Sequence, residues 1–327
     1  MALHFTLMHL TCRIWNITNN NLGGSRMRKH LLAILVVSLI CCAQIPVHAE
    51  LNVYELQRRI IFWENECYIL TDEGTVFANA AGYQAHPGIK AWKNIIALKV
   101  VRGIAAGLTT EGTVIVSVTE TEDKGIIEEI KTWENIKQIA VSYRSVYGLT
   151  SDNRIVYAGY LFPEQKERLA NSDGWGQIAF ITAYTDLFAL TKEGKVHSTL
   201  AEDFSELDHV IDVISSGMET LFLKDNGTCM MYVNFDDNLS SLSQVKVDQI
   251  VQITYFDHNE TAILKNGHEV IVPKYSSLES FSDPDIVAIS GYAWIDNKGH
   301  IHMDKKRFGL EGIDLPVFQI NRVLKKD

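Results

Sequence analysis

Residues 108–114 of this chain read Leu108-Thr-Thr-Glu-Gly112-Thr-Val114, a polar turn between two apolar strand ends. The same pattern returns at Leu190-Thr-Lys-Glu-Gly194-Lys-Val196. A tight two-residue hairpin needs a backbone with positive φ, which glycine adopts without steric cost and asparagine tolerates best among the other residues. The pattern therefore predicts a β-hairpin at each copy, with the glycine in the turn.

Seven copies of this turn follow one another along the chain. They lie at intervals of 32 to 41 residues, and their turn residues are Gly74, Gly112, Asn153, Gly194, Gly227, Gly267 and Gly299. Asn153 obeys the same conformational rule as the glycines. Self-similarity at such a regular spacing predicts one supersecondary unit repeated seven times.

A second element precedes each turn at a nearly constant distance. It is a large apolar residue, at its clearest the tryptophan of a Trp-x-x-Ile motif, and the position is occupied by Tyr54, Trp92, Trp133, Trp175, Leu207, Val247 and, in a shortened copy, Phe281. An alternating apolar stretch follows, such as Ile136, Ile139 and Val141. Period two predicts strands. Helices between the turns would contradict this repeat map.

Seven strand units without helical periodicity predict an all-β fold, a seven-bladed β-propeller. An open row of units would expose an apolar blade face at each end, whereas a ring buries both. The final segment, Leu315-Pro-Val-Phe-Gln-Ile320, looks like one more strand of the kind that follows the tryptophan position, but no hairpin comes after it. We expect it to pair with the N-terminal blade and to close the ring.

The repeated Trp-x-x-Ile-x-x-Ile, the Gly-Leu-Thr or Ala-Leu-Thr before the turn, and the polar-polar-Gly-x-Val turn together resemble the bacterial variant of the regulator-of-chromosome-condensation repeat. The resemblance covers Tyr54 to Phe318, and the copies are degenerate, since only Gly217 and Gly291 echo the glycine that often precedes the hairpin. It implies a scaffold that grips protein partners through loops on one face of the disc.

Two members of that family show how far the partners can differ. A secreted bacterial member inhibits β-lactamases, and the eukaryotic nuclear member exchanges nucleotide on a small GTPase and binds chromatin. An exported acidic chain fits the first setting. The target of either relative does not follow from the fold alone.

A signal for export begins at Met27. The basic residues Arg28 and Lys29 are followed by the apolar run Leu31 to Cys42, and Val47-His-Ala49 provides small residues for cleavage. We expect cleavage after Ala49. A permanent membrane anchor is the alternative, but the apolar run is too short to span hydrocarbon comfortably. A lipoprotein signal is a weaker one, because no small residues precede the cysteines of this run.

The domain organisation follows from this signal. Residues 1–26 have no pattern of their own and are expected not to be translated, with Met27 as the true start. Residues 27–49 form the signal peptide, and residues 50–327 form a single propeller domain that is secreted or extracytoplasmic. After cleavage we expect no stable membrane span and a monomeric protein.

The charge of the chain limits the classes of partner, and its cysteines bear on disulfide bonding. The chain has a formal net charge of −10, and the segment removed with the signal contains only basic charges. Acidic surfaces repel phosphate backbones and anionic lipid, so nucleic acid is excluded as a partner. Cys67 and Cys229 occupy different places in repeats four blades apart, so each is expected to be a free thiol.

Candidate binding residues lie in the loops between the Trp-x-x-Ile strand and the hairpin, which we expect to emerge on one face. Their types are enriched at the centres of protein interfaces, and they are Arg102, Tyr143, Arg144, Tyr184, Met218, Tyr255, Phe256, Asp257, His258 and Tyr292. The alternative is that some of them pack inward or line the channel, with the four tyrosines as one recurring structural position. The repeated tryptophans are interpreted as packing residues.

Catalytic motifs have little support. His300-x-His302 could place two imidazoles on one strand face, but no carboxylate or third histidine is fixed nearby by the sequence. Gly-rich phosphate loops, nucleophile elbows and zinc-protease motifs are missing from the sequence. We therefore expect a protein-binding scaffold, such as an inhibitor or adhesion module, without enzymatic activity, metal or cofactor. A carbohydrate-binding or carbohydrate-active propeller and a structural cell-envelope protein are the alternatives.

Overall fold

The computed structural model describes residues 53–119, 124–217, 219–233, 241–257, 260–272 and 280–320. All of them belong to one compact unit of the chain, Leu51–Asp327. Their strands form seven separate antiparallel sheets, each a meander of three or four strands. The predicted all-β, seven-bladed propeller is therefore confirmed. The predicted signal peptide, its cleavage after Ala49 and the untranslated residues 1–26 lie outside the described residues.

Each sheet is one blade, and the blades are numbered along the chain. Blades 1 to 4 contain β1 (Ile60–Trp63), β2 (Glu66–Leu70), β3 (Val76–Ala78); β4 (Ile95–Val101), β5 (Ile104–Thr109), β6 (Val114–Val118); β7 (Ile136–Val141), β8 (Ser145–Thr150), β9 (Ile155–Gly159); and β10 (Ile178–Ala183), β11 (Leu187–Thr191), β12 (Val196–Ser198). Blades 5 to 7 contain β13 (Val210–Ser215), β14 (Glu219–Lys224), β15 (Cys229–Val233), β16 (Ser241–Gln244); β17 (Ile250–Asp257), β18 (Glu260–Lys265), β19 (Glu269–Ile271), β20 (Phe281–Ser282); and β21 (Ile286–Ser290), β22 (Ala293–Asp296), β23 (Ile301–Met303). The first strand of each blade contacts that of the next, so these inner strands surround the axis.

The glycine turns join the second and third strands of each blade, but they are not the two-residue turns that were predicted. In the first copy Thr71 N donates to Thr75 O (2.9 Å) and Gly74 N donates to Thr71 O (3.1 Å), so the loop has one residue more. Positive φ is confined to Gly74, at 71°, as in a type I turn followed by a bulged glycine. Five other copies repeat these bonds.

The sixth copy is the exception to this turn geometry. Asn266 and Gly267 both have positive φ, 54° and 78°, and His268 N donates to Lys265 O at 3.2 Å. Two consecutive residues with positive φ are typical of a type I′ turn. The predicted form therefore holds here alone among the seven turns.

The glycine turns of blades 1, 2, 4 and 5 also bind the next blade. Gly74 O accepts a hydrogen bond from Ile95 N at 2.9 Å, and Gly112 O accepts one from Ile136 N at the same distance. A Cβ atom at Gly74 would lie 3.0 Å from Ile95 N, so the close approach requires glycine. In the third copy the Asn153 side chain makes the link, with Oδ1 accepting from Ile178 N at 2.9 Å. We call this side of the disc the turn face.

The inner strands contain a β-bulge near their start in six of the seven blades. In blade 3 the register shifts between Ile136 and Gln138, and the bulged residue Lys137 is exposed. The bulge explains why the apolar residues Ile136, Ile139 and Val141 are spaced first by three and then by two. The repeated tryptophans pack as predicted: a Cβ at Gly148 would lie 3.0 Å from the indole of Trp133.

Short helices connect the first four blades, and here the sequence prediction was wrong. The connections contain α2 (Ala80–Ala85) with a 3-10 helix (Pro87–Ala91), α3 (Lys124–Ile130), and α4 (Pro163–Ala170) with a 3-10 helix (Ser172–Trp175), while α1 (Val53–Gln57) precedes blade 1. Five to eight residues are too few to show a helical period. The helices follow the third strand of a blade, so the strand meanders and the blade count are unchanged.

The ring closes at blade 7 through both chain ends. Ser290 Oγ donates to Ile60 O at 2.7 Å. In the tail, Phe318 N donates to Gly299 O at 2.9 Å, the same bond that Gly74, Gly112, Gly194 and Gly227 accept from the start of the next blade. Gln319 N donates to the Asp72 carboxylate at 2.6 Å. The tail thus reaches blade 1 as expected and also binds blade 7, but its residues 313–320 form no strand.

The two cysteines of the propeller are buried free thiols, as predicted. Cys67 lies in blade 1 and Cys229 in blade 5. Burial raises the pKa of each thiol to about 12, so neither forms a reactive thiolate near neutral pH.

Candidate functional site

The hairpins between the first and second strands of the blades emerge together on the side opposite the turn face, which we call the loop face. The inner strands of blades 2 to 6 start beside the turn of the preceding blade, and every inner strand ends in one of these hairpins. Seven hairpins from distant parts of the chain are therefore neighbours on one surface. Loops on a rigid scaffold of this kind are where binding residues are most often found.

An aromatic cluster covers the axis on the loop face. It joins Trp63 of blade 1, Tyr143 of blade 3, Tyr184 of blade 4 and Tyr255 of blade 6, and we call it the axial cluster. The ring centroids of Tyr143 and Tyr184 lie 4.7 Å apart, and Trp63 lies 6.1 Å from each of them. Tyr143 OH donates to Tyr184 OH at 2.7 Å. The centroid of Tyr255 lies 6.1 Å from that of Tyr184.

Much of the axial cluster is packing. Tyr184 is 1% exposed, and a Cβ at Gly217 would lie 2.8 Å from its ring, so glycine is needed to seat it. Burial, together with the nearby Tyr143 hydroxyl, raises the pKa of Tyr255 to about 12. For Tyr184 the alternative interpretation, a packing tyrosine, is the correct one.

A second cluster lies where blade 7 meets blade 1, and we call it the closing cluster. The ring of Tyr292 lies 5.5 Å from those of Phe62 and Phe308. Arg307 covers it, with the guanidinium carbon 3.9 Å from the Tyr292 ring and Nη2 donating to its hydroxyl at 2.6 Å. Tyr292 and Phe308 are buried. Tyr292 therefore helps to close the ring and does not join the other predicted tyrosines.

Exposed aromatic side chains are found at blade 3. Tyr160 is 46% exposed and Phe162 is 55% exposed, and their rings meet edge to face at 5.3 Å. The guanidinium carbon of Arg144 lies 4.6 Å from the Tyr160 ring, and Arg144 is exposed. Neighbouring large apolar side chains that face solvent are typical of a surface that binds another molecule.

The backbone holds these side chains in place. Tyr160 N donates to Arg144 O at 3.1 Å, Ser145 Oγ donates to Tyr160 O at 2.5 Å, and Phe162 N donates to Gln165 Oε1 at 3.0 Å. Between the two aromatic residues, Leu161 is buried in the core. The anchored backbone presents Tyr160 and Phe162 outward, so little conformational entropy is lost when they are covered.

Arg102 extends this surface toward blade 2. It is exposed, and its guanidinium carbon lies 5.7 Å from the Tyr143 ring. Its φ of +40° and the +74° of Gly103 form the two-residue turn between Val101 and Ile104, which places Arg102 at the tip of its hairpin. Five residues form a continuous surface, which we call the blade 2–3 strip: Arg102, Tyr143, Arg144, Tyr160 and Phe162.

The structure thus brings together part of the predicted set. Arg102, Tyr143 and Arg144 lie in the strip, Tyr184 and Tyr255 lie in the axial cluster beside it, and Tyr292 lies apart. Met218 and His258 fall outside the described residues, as do the side chains of Phe256 and Asp257. Sequence reasoning missed Trp63, Tyr160 and Phe162. The aromatic-apolar-aromatic order of Tyr160-Leu-Phe162 beside Pro163 could have indicated them.

The two histidines considered as a metal site share one carboxylate. Asp296 Oδ2 lies 3.1 Å from His300 Nδ1 and 2.9 Å from His302 Nε2, and the rings of Trp294 and His302 stack at 3.8 Å. Among the described residues no group of three or more histidine, cysteine or acidic side chains could hold a metal ion.

Two further expectations concern membrane spans and catalysis. Helices in the described part of the chain are at most eight residues long, and none of them has the length and apolar character of a membrane span. The expected lack of enzymatic activity and of a cofactor stays a prediction.

Comparison with known proteins adds information on the fold. No protein-family model and no curated protein matches the sequence. The ectodomain of the receptor kinase CR4 from Physcomitrella patens is 9% identical, with a TM-score of 0.52, over 72% of this chain and 68% of that one. Yeast RCC1 (Prp20) bound to Kap60 is 14% identical, with a TM-score of 0.46, over 65% of this chain and 68% of that one.

The Prp20p structure from Saccharomyces cerevisiae is 13% identical, with a TM-score of 0.44, over 63% of this chain and 69% of that one. The chain is thus similar in structure to propellers that include an RCC1 protein. At these identities the similarity concerns the fold alone. Membership of the repeat family stays a prediction.

Proposed function

We propose that this protein binds a protein partner through the blade 2–3 strip on its loop face. The observation that supports this most directly is the exposed pair Tyr160 and Phe162, held by an anchored backbone and flanked by Arg144. Tyrosine and arginine carry a large share of the binding energy in protein interfaces because each contributes much contact area at limited entropic cost. The protein is, in this proposal, a scaffold that recognises rather than transforms its partner.

The strip also indicates the chemistry of the partner. Its only charged members are Arg102 and Arg144, on a chain with a net charge of −10. At short range this local positive surface attracts acidic side chains, although the net negative charge of the whole chain attracts basic proteins at long range. We expect an apolar anchor that covers Tyr160 and Phe162, with acidic residues on either side of it.

The site of action is proposed to be outside the cytoplasm. The support is the basic, apolar and small-residue order of the segment 27–49, which is typical of a cleaved export signal. Mass spectrometry of the mature N-terminus tests this. A chain that begins at Glu50 would agree with the proposal, and a chain that retains residues 27–49 would contradict it.

Capture experiments test the binding proposal. Purified protein is immobilised and exposed to cell-envelope and culture-supernatant proteins, with a glycan array in parallel. The triple variant Arg144→Ala, Tyr160→Ala, Phe162→Ala is expected to weaken the affinity for a captured protein by about 100-fold or more, since hot-spot truncations cost about 2 kcal/mol each. Far-ultraviolet circular dichroism confirms that the variant is folded.

A matched control comes from the turn face. Ile96, Lys137 and Ile211 are exposed there, and the triple variant with alanine at these positions should bind like the wild type. Equal weakening in both triple variants would contradict a strip-specific interface. Glycan binding that is lost with Tyr160→Ala, with no protein captured, would favour the carbohydrate-binding alternative instead.

A further inference from the structure

The inner strands of all seven blades enclose a narrow cavity along the axis. Its volume is about 100 Å³, room for several water molecules or a small ion, since one water needs about 10–15 Å³ of such space. Most of the lining is apolar or hydroxylic, with Val100, Val141 and Thr182 as examples. Two side chains of the lining are charged, and both are cationic: Arg58 and Lys99.

Side chains narrow both ends of this cavity. On the loop face the axial cluster lies over it, and Tyr255 lines it. On the turn face α1 and Arg58 cross it: Tyr54 OH donates to Val251 O at 3.3 Å, the Gln57 side chain donates to Ile253 O, and Arg58 reaches blade 4, where its guanidinium carbon lies 3.7 Å from the Phe180 ring. A ligand in the cavity would therefore be small.

One buried carboxylate, that of Asp212, contacts Arg58 of the cavity lining. Asp212 is 1% exposed, and its Oδ1 accepts a hydrogen bond from Arg58 Nη2 at 2.6 Å. Burial raises the pKa of Asp212, while the positive charge of Arg58 opposes that shift. A guanidinium has five N–H donors. Among the described residues, Asp212 takes the one side-chain hydrogen bond that Arg58 donates, so the others remain available.

Lys99 supplies the second positive charge. It lies on β4 and is partly buried in the cavity wall, yet within the described part of the chain its ammonium group makes no hydrogen bond or ion pair. Burial and the nearby Arg58 charge lower the pKa of Lys99 to about 8, against a smaller opposing effect of Asp212. At pH 7 Lys99 is thus mostly charged, and the cavity contains two cations against at most one carboxylate.

We infer that this axial cavity is a binding site for a small oxyanion, held between Lys99 and Arg58. An oxyanion neutralises the excess positive charge in a place that water screens poorly. The planar guanidinium can donate two parallel hydrogen bonds to oxygen atoms of such an ion, and the lysine ammonium adds a third. The size of the cavity suits an ion such as phosphate and leaves no room for a nucleotide.

Isothermal titration calorimetry of the purified protein with inorganic phosphate tests this site at pH 7 and constant ionic strength. We expect saturable one-to-one binding with a dissociation constant below about 1 mM. Lys99→Met should weaken the affinity at least tenfold, because it keeps the length of the side chain and removes the charge. Lys99→Arg should stay within about threefold of the wild type, since the charge is retained.

Lys137→Met is the matched control. Lys137 lies on the neighbouring inner strand but is exposed on the turn face, so its loss should leave phosphate binding unchanged. Equal weakening in both lysine variants would overturn the site in favour of general surface attraction. Failure of the wild type to saturate by about 10 mM phosphate, or equal competition by chloride, would overturn the oxyanion assignment.

A second measurement covers the case in which Lys99→Met is poorly folded. Ligand that binds only the native state raises the unfolding temperature. Phosphate should therefore raise the unfolding temperature of the wild type and of Lys137→Met equally, and that of Lys99→Arg nearly as much. An equal rise in Lys99→Met would overturn the inference.

Discussion

The blade 2–3 strip and the closing cluster are built from the same residue types and differ in what surrounds them. In each, an arginine stacks on a tyrosine that contacts a phenylalanine: Arg144 lies 4.6 Å from Tyr160, and Arg307 lies 3.9 Å from Tyr292. Tyr292 and Phe308 of the closing cluster are buried between blades 7 and 1, with Arg307 exposed above them, whereas Tyr160 and Phe162 of the strip face solvent. Identical side chains thus stabilise the ring in one place and remain available to a partner in the other.

Truncation of a phenylalanine in each region should give the largest difference in the free energy of unfolding. Phe308 is 3% exposed, so Phe308→Ala leaves a cavity and should lower the free energy of unfolding by about 3–5 kcal/mol. Phe162→Ala, at an exposed position, should change it by less than about 0.5 kcal/mol. Urea unfolding followed by fluorescence measures both. Similar losses would show that the strip also belongs to the core.

Arginine truncation should give a smaller difference in the same direction. Arg307→Ala removes a charged hydrogen bond to Tyr292 and the ring contact beneath it, and should cost about 1–2 kcal/mol. Arg144→Ala should cost less than about 0.5 kcal/mol, because the ring beneath Arg144 is itself exposed and, among the described residues, the Arg144 side chain donates no hydrogen bond. The same unfolding measurements apply. A greater loss for Arg144→Ala would reverse the roles assigned to the two arginines.

Asp296→Asn should bear least on the comparison, since Asp296 lies in neither region, but its effect on stability should depend on pH. Partial burial raises the pKa of Asp296, but hydrogen bonds from His302 and from the His300 and Lys298 backbones outweigh it and hold the pKa well below its usual range. A depressed pKa in the folded state contributes stability that is complete above the unfolded value of about 3.9 and is lost as the pH falls.

The difference in unfolding free energy between wild type and Asp296→Asn should therefore be greatest above about pH 4 and shrink below it. Urea unfolding at a series of pH values measures this difference. A difference that persists unchanged to pH 2 would contradict the assignment. The variant should leave the strip and its binding unaffected.

Sequence patterns predicted the fold far better than the site. The seven turns were found because each needs a residue that tolerates positive φ. Such residues, Gly74 and Asn153 among them, can be recognised in the sequence without knowledge of the fold. The short helices were missed because α4, at eight residues, is too brief to display a period. The tail was predicted correctly to reach blade 1, but it was assigned a strand that it does not form, and its bond to blade 7 was not predicted.

The binding face was predicted in outline only. Arg102, Tyr143 and Arg144 were recognised because loop position and residue type are visible in sequence. Tyr160 and Phe162 follow the third strand of their blade, outside the loops that were considered. Tyr292 was assigned to the face although it is buried, because the side chains that pack on it come from elsewhere: Phe62 from blade 1 and Phe308 from the segment after β23.

The sequence by itself determined the number and order of the blades, since a turn residue with positive φ is a local requirement that each repeat must meet alone. Only the tertiary structure decided which arginines and aromatic residues are covered, because burial depends on neighbours from other blades. It also placed Arg58 beside Asp212 and Lys99 near both. These three residues are far apart in the sequence, and their charges interact only when the ring has closed around the axis.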